Sequence, residues 1–215
     1  MKTQFFFLLL TISSLSCAPM SAEKKNVLTY ETSREPASIV ATTQPIDYEI
    51  VGFIPKLKQT KSMGCWATVA TMLYSWKKQQ SFTVSDAMNS VGTKWGNLYN
   101  ANTGLSAREK PQFVSDLGLT FQYPMSISIS GWEQMLRDHG PIWVTTDEQP
   151  GEGWAIHARV VIGIKGDGTP ANTFLKIIDP ATGNLTQESI KDFVPKFEEE
   201  IRITGGLTRI QILHW

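Results

Sequence analysis

Gln59 and Cys65 are six positions apart in the segment Gln59-Thr-Lys-Ser-Met-Gly-Cys65-Trp66. The chain contains 2 cysteines, and the other, Cys17, lies in a predicted export signal. A single thiol in a mature exported protein has no intramolecular disulfide partner, so Cys65 is either a buried apolar side chain or a nucleophile. Apolar residues at helical spacing follow it, which places Cys65 in a predicted first helical turn. Unpaired N–H groups and the positive end of the helix dipole stabilise a thiolate there, which favours the nucleophile.

A cysteine nucleophile needs a base within reach of its proton, and the chain has 3 histidines. His139 ends a predicted helix and His214 is the penultimate residue, so both patterns favour structural or incidental roles. His157 opens the longest apolar strand pattern of the chain, Trp154-Ala-Ile-His-Ala-Arg-Val-Val161. A histidine in such a strand is more often a core residue, but the thiol upstream makes His157 the predicted base.

Two further polar residues complete a possible reaction centre. Asp179 ends the next predicted strand in Ile178-Asp179-Pro180, where a hairpin returning from His157 would place the carboxylate beside the imidazole and orient it. The alternative is an Asp-Pro turn that Asp179 caps. Gln59 is a candidate donor to the oxyanion of a tetrahedral intermediate, together with a backbone N–H at the helix start. A solvated loop glutamine is the alternative interpretation.

The elements that must position these residues change type along the chain. Helical patterns come first: one starts at Cys65, and others cover Ser85–Val91, Ser106–Leu117 and a segment opened by a Ser130–Glu133 capping box and closed by Gly140. Short runs rich in Ile and Val follow and predict strands, at 141–146, 156–164, 174–178, 200–203 and 209–213. Helices followed by an antiparallel sheet predict an α+β fold, with the Cys65 helix packed on the sheet.

The N-terminal residues predict an exported protein. Residues 1–22 have a short positive start, an apolar run and small residues, which is the pattern of a secretory signal. Cleavage before Cys17 would instead leave a lipid-modified N-terminal cysteine, and Ser14-Leu-Ser-Cys17 fits that signal imperfectly. Residues 23–46 are polar and aperiodic, which predicts a linker or arm, and 47–215 have the length of one domain. We expect a secreted or periplasmic protein, with a membrane-anchored lipoprotein as the alternative.

Composition limits the partners. Lys and Arg total 20 and Asp and Glu total 20, so the chain lacks the basic excess typical of nucleic-acid binding. The apolar run of the signal is too short to span a bilayer comfortably, and no integral membrane span is expected. The histidines and cysteines form no zinc-binding pattern, so no metal or cofactor is expected. We expect a monomer that acts on a protein or peptide substrate.

The pattern of Gln59, the Gly-Cys-Trp-Ala run at Cys65 and the small-flanked His157 resembles the papain-like cysteine peptidases. Only the end of the papain signature Cys-Gly-(Ser/Ala)-Cys-(Trp/Tyr) is matched, because Ser62-Met-Gly64 replaces its opening. The missing disulfide cysteine and the short domain resemble the compact bacterial branch, which includes bacteriocin-leader peptidases and plant-pathogen avirulence effectors. In that branch the third member is typically an aspartate before proline, as at Asp179.

The resemblance implies a papain-like α+β fold and hydrolysis of peptide bonds. Cys65 would attack the carbonyl and form a thioester, His157 would move the proton, Asp179 would orient His157, and Gln59 would donate into the oxyanion hole. Two alternatives stay open. An exported peptidoglycan amidase or an acyl transferase uses the same residue types, and an inactive papain-like binding module would keep the fold without turnover.

Overall fold

A computed structural model describes residues 45–122, 127–150, 155–203 and 210–215. The predicted signal, Cys17, nearly all of the predicted arm and Trp154 lie outside these residues. Within them, the helices are α1 Cys65–Lys78, α2 Val84–Val91, α3 Thr93–Asn100, α4 Lys110–Leu117, α5 Ile129–His139 and α6 Ile190–Ile203. The strands are β1 Ile46–Glu49, β2 Thr120–Gln122, β3 Ile142–Asp147, β4 Ile156–Gly166, β5 Thr173–Asp179, β6 Asn184–Ser189 and β7 Ile212–His214.

All described strand pairs are antiparallel, in the order β2-β7-β3-β4-β5-β6, with β1 paired to the end of β4. The α+β prediction, with helices before an antiparallel sheet, is confirmed. Helix α1 contacts β3 and β4, while α6 packs on β3 and α5 on β4. The sheet therefore receives the Cys65 helix, as the apolar patterns predicted.

The sheet separates two apolar cores because side chains alternate between its faces. On β3, Trp143 belongs to the core around α1, whereas Ile142 and Val144 belong to the core around α5 and α6. The register of β4 against β5 shifts between Val161 and Gly163, and a bulge of this kind changes which face the following residues occupy. All six residues of β3 are buried, because one face of the strand packs on each core.

Helix α1 is buried along most of its length, because its short side chains let neighbouring elements approach closely. Ala67 and Ala70 are fully buried. Two threonines on the helix satisfy their own hydroxyls: Thr68 donates to the Gly64 carbonyl at 2.9 Å and Thr71 to the Ala67 carbonyl at 2.8 Å. The helix therefore tolerates burial on several sides without orphaned threonine hydroxyls.

Two local predictions are wrong. Helix α5 is capped by Ser128, whose hydroxyl accepts from Gly131 N at 3.1 Å, not by Ser130. Ile127 and Trp132 both belong to the core around α5 and α6, and this spacing is that of a hydrophobic staple, which sets the earlier start. The predicted strand 200–203 is the end of α6, because Ser189 and Asp192 form a capping box that opens a helix.

Candidate active site

Cys65 is the first residue of α1 and carries a free, half-buried thiol. Gly64 precedes it as an N-cap without a side-chain hydrogen bond. A Cβ atom at Gly64 would lie 3.1 Å from the Lys61 carbonyl oxygen and 3.3 Å from the Tyr99 ring, so any larger residue here would push these neighbours away by a few tenths of an ångström. The predicted position of Cys65 in a first helical turn is confirmed.

His157 and Asp179 lie side by side at the ends of neighbouring strands. His157 Nε2 is 2.7 Å from Asp179 Oδ1, which leaves the other ring nitrogen, Nδ1, available to the Cys65 thiol that lines the same cleft. The side chains of His157 and Asp179 are 16% and 25% exposed, so water screens the pair only in part. The structure thus places the hydrogen-bonded pair of His157 and Asp179 beside the Cys65 thiol.

Asp179 also closes the turn between β5 and β6. The same Oδ1 atom accepts from Ala181 N at 2.8 Å, and the Asp179 carbonyl accepts from Gly183 N at 2.7 Å. Asp179 therefore contacts His157 and also caps the Asp-Pro turn, so the two interpretations of its sequence pattern do not exclude each other. One carboxylate oxygen caps the Asp-Pro turn and holds the imidazole, so the turn fixes the position of the carboxylate.

The three groups shift one another toward charged forms. Burial opposes ionisation of Cys65, but hydrogen bonds from His157 and from the N–H groups of Ala158 and Trp66 outweigh it and lower the thiol pKa. Burial would lower the pKa of His157, but the bonds to Asp179 and Cys65 raise it from 6.5 to about 9. Burial likewise opposes ionisation of Asp179, yet the His157 bond lowers the pKa of this carboxyl. The three shifts therefore all act in the direction of a thiolate facing an imidazolium.

Gln59 lies next to these residues, but its side chain forms no hydrogen bond with Cys65, His157 or Asp179. Its backbone N–H donates to the Pro180 carbonyl at 2.7 Å, which ties it to the Asp179 turn. Its side-chain Nε2 donates to the carbonyls of Lys61 and Ser62, both at 3.1 Å. Exchanging the amide N and O would set an oxygen against two carbonyl oxygens, so this orientation is fixed. In this structure Gln59 organises the turn before Cys65.

An open cleft of about 520 Å³ runs beside the Cys65 thiol. Its walls come from the turn before α1, from the segment before α4 and from β3 and β4. Among the described residues it is lined by Ser62, Met63, Cys65, Trp66, Gly104, Leu105, Ser106, Ala107, Lys110, Trp143, Thr145, Ile156, His157, Ala158 and Glu200. The volume suits part of a peptide or a small ligand.

Lys110 and Glu200 are two charged residues of this cleft that the sequence patterns did not single out. Each continues a buried helical stripe: Lys110 precedes Phe113, Val114 and Leu117 on α4, and Glu200 follows Phe193 and Phe197 on α6. They are only 8% and 6% exposed. A charged residue in register with an apolar stripe is the signal that could have identified both.

The other two histidines pair with each other. The rings of His139 and His214 stack with centroids 3.8 Å apart, and His214 Nε2 lies 2.9 Å from Gln122 Nε2. Burial lowers the pKa of His214, which the Trp215 carbonyl partly offsets. These contacts give both residues a packing role where α5 meets β7.

Two kinds of feature are absent from the described residues. No helix among them is long and apolar enough to cross a membrane. No group of three or more His, Cys, Asp or Glu side chains in the same part of the chain could hold a metal ion.

A free cysteine that begins a central helix and shares a cleft with a histidine of an antiparallel sheet is the arrangement of the papain-like cysteine peptidases. At the level of families, the model described as papain-like cysteine protease AvrRpt2 matches residues 46–198, and the chain belongs to that family. It is therefore a cysteine peptidase, a hydrolase that acts on peptide bonds in a protein substrate.

Other comparisons add little detail. One similar solved structure comes from work titled as the structural basis for limited antibody cross-reactivity between the mite allergens Blo t 1 and Der p 1. It has a TM-score of 0.41 and 13% identity, and the match covers 86% of this chain and 74% of that chain. No curated protein matches the sequence.

Proposed function

We propose that the chain is an exported peptidase that cleaves peptide bonds with a Cys65–His157–Asp179 triad. The observation that carries the proposal is the placement of His157, which is bonded to Asp179 at 2.7 Å and lines the same cleft as the Cys65 thiol. In it, the thiolate attacks the carbonyl carbon of the substrate and the imidazolium gives its proton to the leaving amine. His157 then takes a proton from water, which attacks the thioester and releases the acid.

The oxyanion of each tetrahedral intermediate forms at the start of α1. Backbone N–H groups of the first turn have no acceptor within the helix and point toward negative charge at this end. We assign Gln59 as a second donor, which exchanges one of its bonds to the Lys61 and Ser62 carbonyls for the oxyanion. Membership of a peptidase family favours a peptide over a peptidoglycan substrate. The His157–Asp179 pair beside the Cys65 thiol favours an active enzyme over an inactive binding module.

Alkylation at controlled pH tests the proposed nucleophile. Because His157 lowers the pKa of Cys65, iodoacetamide labels Cys65 at pH 6 about 10-fold or more faster than a free thiol with its ordinary pKa of about 8.5. His157→Ala removes this gain, while His139→Ala is the matched control and keeps it. Labelling that speeds up only in denaturant contradicts the proposal, because it marks a buried structural cysteine.

Export and the maturation of the N-terminus form a separate part of the proposal. We expect the mature protein outside the cytoplasm, monomeric, and starting near Glu23 after loss of residues 1–22. The intact mass of protein recovered from the native host gives the start site, and size-exclusion chromatography gives the oligomeric state. A mass that retains Cys17 with an added diacylglyceryl group supports the lipoprotein alternative, and an unprocessed Met1 contradicts export by this signal.

A further inference from the structure

The cleft beside Cys65 combines apolar walls with a charged floor. Side chains that contribute no charge form the walls, among them Met63, Trp66, Leu105, Trp143 and Ile156. Lys110 and Glu200, which we call the cleft floor, are the lining residues with ionisable side chains outside the triad in the described part of the cleft. Placing two opposite charges at 8% and 6% exposure is costly unless they have partners.

One N–H group of the Lys110 ammonium has no hydrogen-bond acceptor among the described residues. An ammonium group has three N–H donors, and Lys110 Nζ donates one to the Ile210 carbonyl at 2.7 Å and one to Thr145 Oγ1 at 3.3 Å. No third acceptor occurs among the described residues. Both bonds anchor the side chain to the sheet, so the remaining N–H is held in place at the cleft and not on a mobile side chain.

Glu200 supplies the matching acceptor. It interacts electrostatically with Lys110, but their charged atoms lie beyond the 4.0 Å limit of a salt bridge. Within the described ranges no hydrogen bond satisfies its carboxyl group. The cleft floor therefore presents one donor and one acceptor that face a common space without contacting each other, and their opposite charges balance.

From this arrangement we propose that the cleft binds the side chain of a substrate tyrosine and that Lys110 and Glu200 determine this specificity. The proposal rests on the proposed peptidase function. The aromatic ring would pack between the apolar walls, and the phenol would accept from the Lys110 ammonium and donate to the Glu200 carboxylate. A hydroxyl both donates and accepts through a single atom and carries no net charge, whereas an amide needs two atoms to do so.

Other side chains fit the cleft floor less well. Phenylalanine fills the walls but leaves the buried donor and acceptor desolvated without partners, which is the situation in which sites built for a hydroxyl reject its absence. An acidic side chain would be repelled by Glu200, and a basic one by Lys110. Serine and threonine are too short to bury the apolar walls.

Matched covalent probes test the proposal directly. Three-residue peptidyl vinyl sulfones are made with Tyr or Phe at each position in turn and alanine elsewhere, and the second-order rate of Cys65 modification is measured by mass spectrometry. At one position, the Tyr probe reacts about 10- to 100-fold faster than the Phe probe, because only the phenol satisfies the cleft floor. Equal or faster reaction of Phe at every position overturns the proposal.

Substitutions in the cleft floor separate specificity from folding. Glu200→Leu lowers the Tyr/Phe ratio to about 1 by slowing the Tyr probe and speeding the Phe probe, whereas Glu200→Gln retains an acceptor and most of the ratio. Lys110→Met lowers the ratio in the same way, although it also leaves the Ile210 carbonyl without its donor. Lys94→Met, at an exposed lysine, is the control that leaves the ratio unchanged.

Iodoacetamide labelling of each variant distinguishes the two proposals. Rapid labelling of Cys65 with a Tyr/Phe ratio near 1 in the wild type contradicts the tyrosine site and leaves the triad intact. A wild-type ratio that persists in both Glu200→Leu and Lys110→Met also overturns the assigned role of these residues. Slow labelling by iodoacetamide and by every probe means that the proposed function itself is wrong.

Discussion

Replacing Cys65 with alanine reduces hydrolysis of unfolded protein substrates by about 10⁴- to 10⁶-fold, because no other group in the site can form the thioester. His157→Ala produces a loss of similar size, since a nucleophile and its base act as a unit and neither works well alone. The double variant is then no worse than either single variant. Initial rates on a denatured, fluorescently labelled protein measure all three.

The control for this first prediction is His139→Ala. It removes another imidazole and its stacking on His214, yet it leaves the triad untouched, so the rate stays within a few-fold of wild type. Circular dichroism shows whether each variant is folded. Hydrolysis by folded Cys65→Ala at a rate within about 10-fold of wild type would assign the reaction to a different nucleophile.

Replacing Asp179 with asparagine narrows the pH range of activity from both sides. Asp179 helps to raise the pKa of His157 to about 9. Removing the charge of Asp179 therefore lets the imidazolium lose its proton at a lower pH, and the alkaline limb of the pH–rate profile moves to lower pH. With less imidazolium beside it, the Cys65 thiolate is less stabilised, and the acidic limb moves up. We expect each limb to move by about one pH unit, equivalent to about 1.4 kcal/mol, and kcat/KM at the optimum to fall about 10- to 1000-fold.

Comparison with Asp179→Ala isolates the charge from the turn. Asparagine keeps an oxygen that can accept from Ala181 N, whereas alanine removes that acceptor as well. The alanine variant therefore unfolds at a lower temperature, by the loss of about 1 to 2 kcal/mol, in addition to the pH effect. Asp47→Asn, at a carboxylate 61% exposed, is the charge control. An unchanged alkaline limb in Asp179→Asn contradicts the assigned role of the carboxylate.

The sequence predicted the elements whose signal is local. The Cys65 helix follows from apolar spacing, and α2 follows from its capping box, in which Thr83 accepts from Asp86 N at 3.1 Å. The strands that carry His157 and Asp179 follow from long runs of branched apolar residues. Their pairing, Val160 opposite Ile178, places the two residues at the same end of the sheet, as the hairpin argument required.

Two of the missed elements, β1 and β2, depend on tertiary contacts. Strands β1 and β2 are only 4 and 3 residues long, and their partners β4 and β7 lie far away in the chain, so no local pattern identifies them. The short run at 200–203 resembles a strand when it is taken alone. Positions 190, 193 and 197 are buried on the same helical face as Glu200, and this longer pattern indicates the helix. Gln59 has the predicted spacing from Cys65, but only the structure reveals that its amide is committed to the turn.

The order of the site residues along the chain has a consequence for biosynthesis. Cys65 belongs to a helix made early, whereas the strands bearing His157 and Asp179 are among the last parts of the domain to be translated. At ordinary elongation rates, the thiol waits on the order of 10 s for its base. During that interval it has the weak nucleophilicity of an unactivated thiol, so the nascent enzyme gains its activated nucleophile only when β4 and β5 pair.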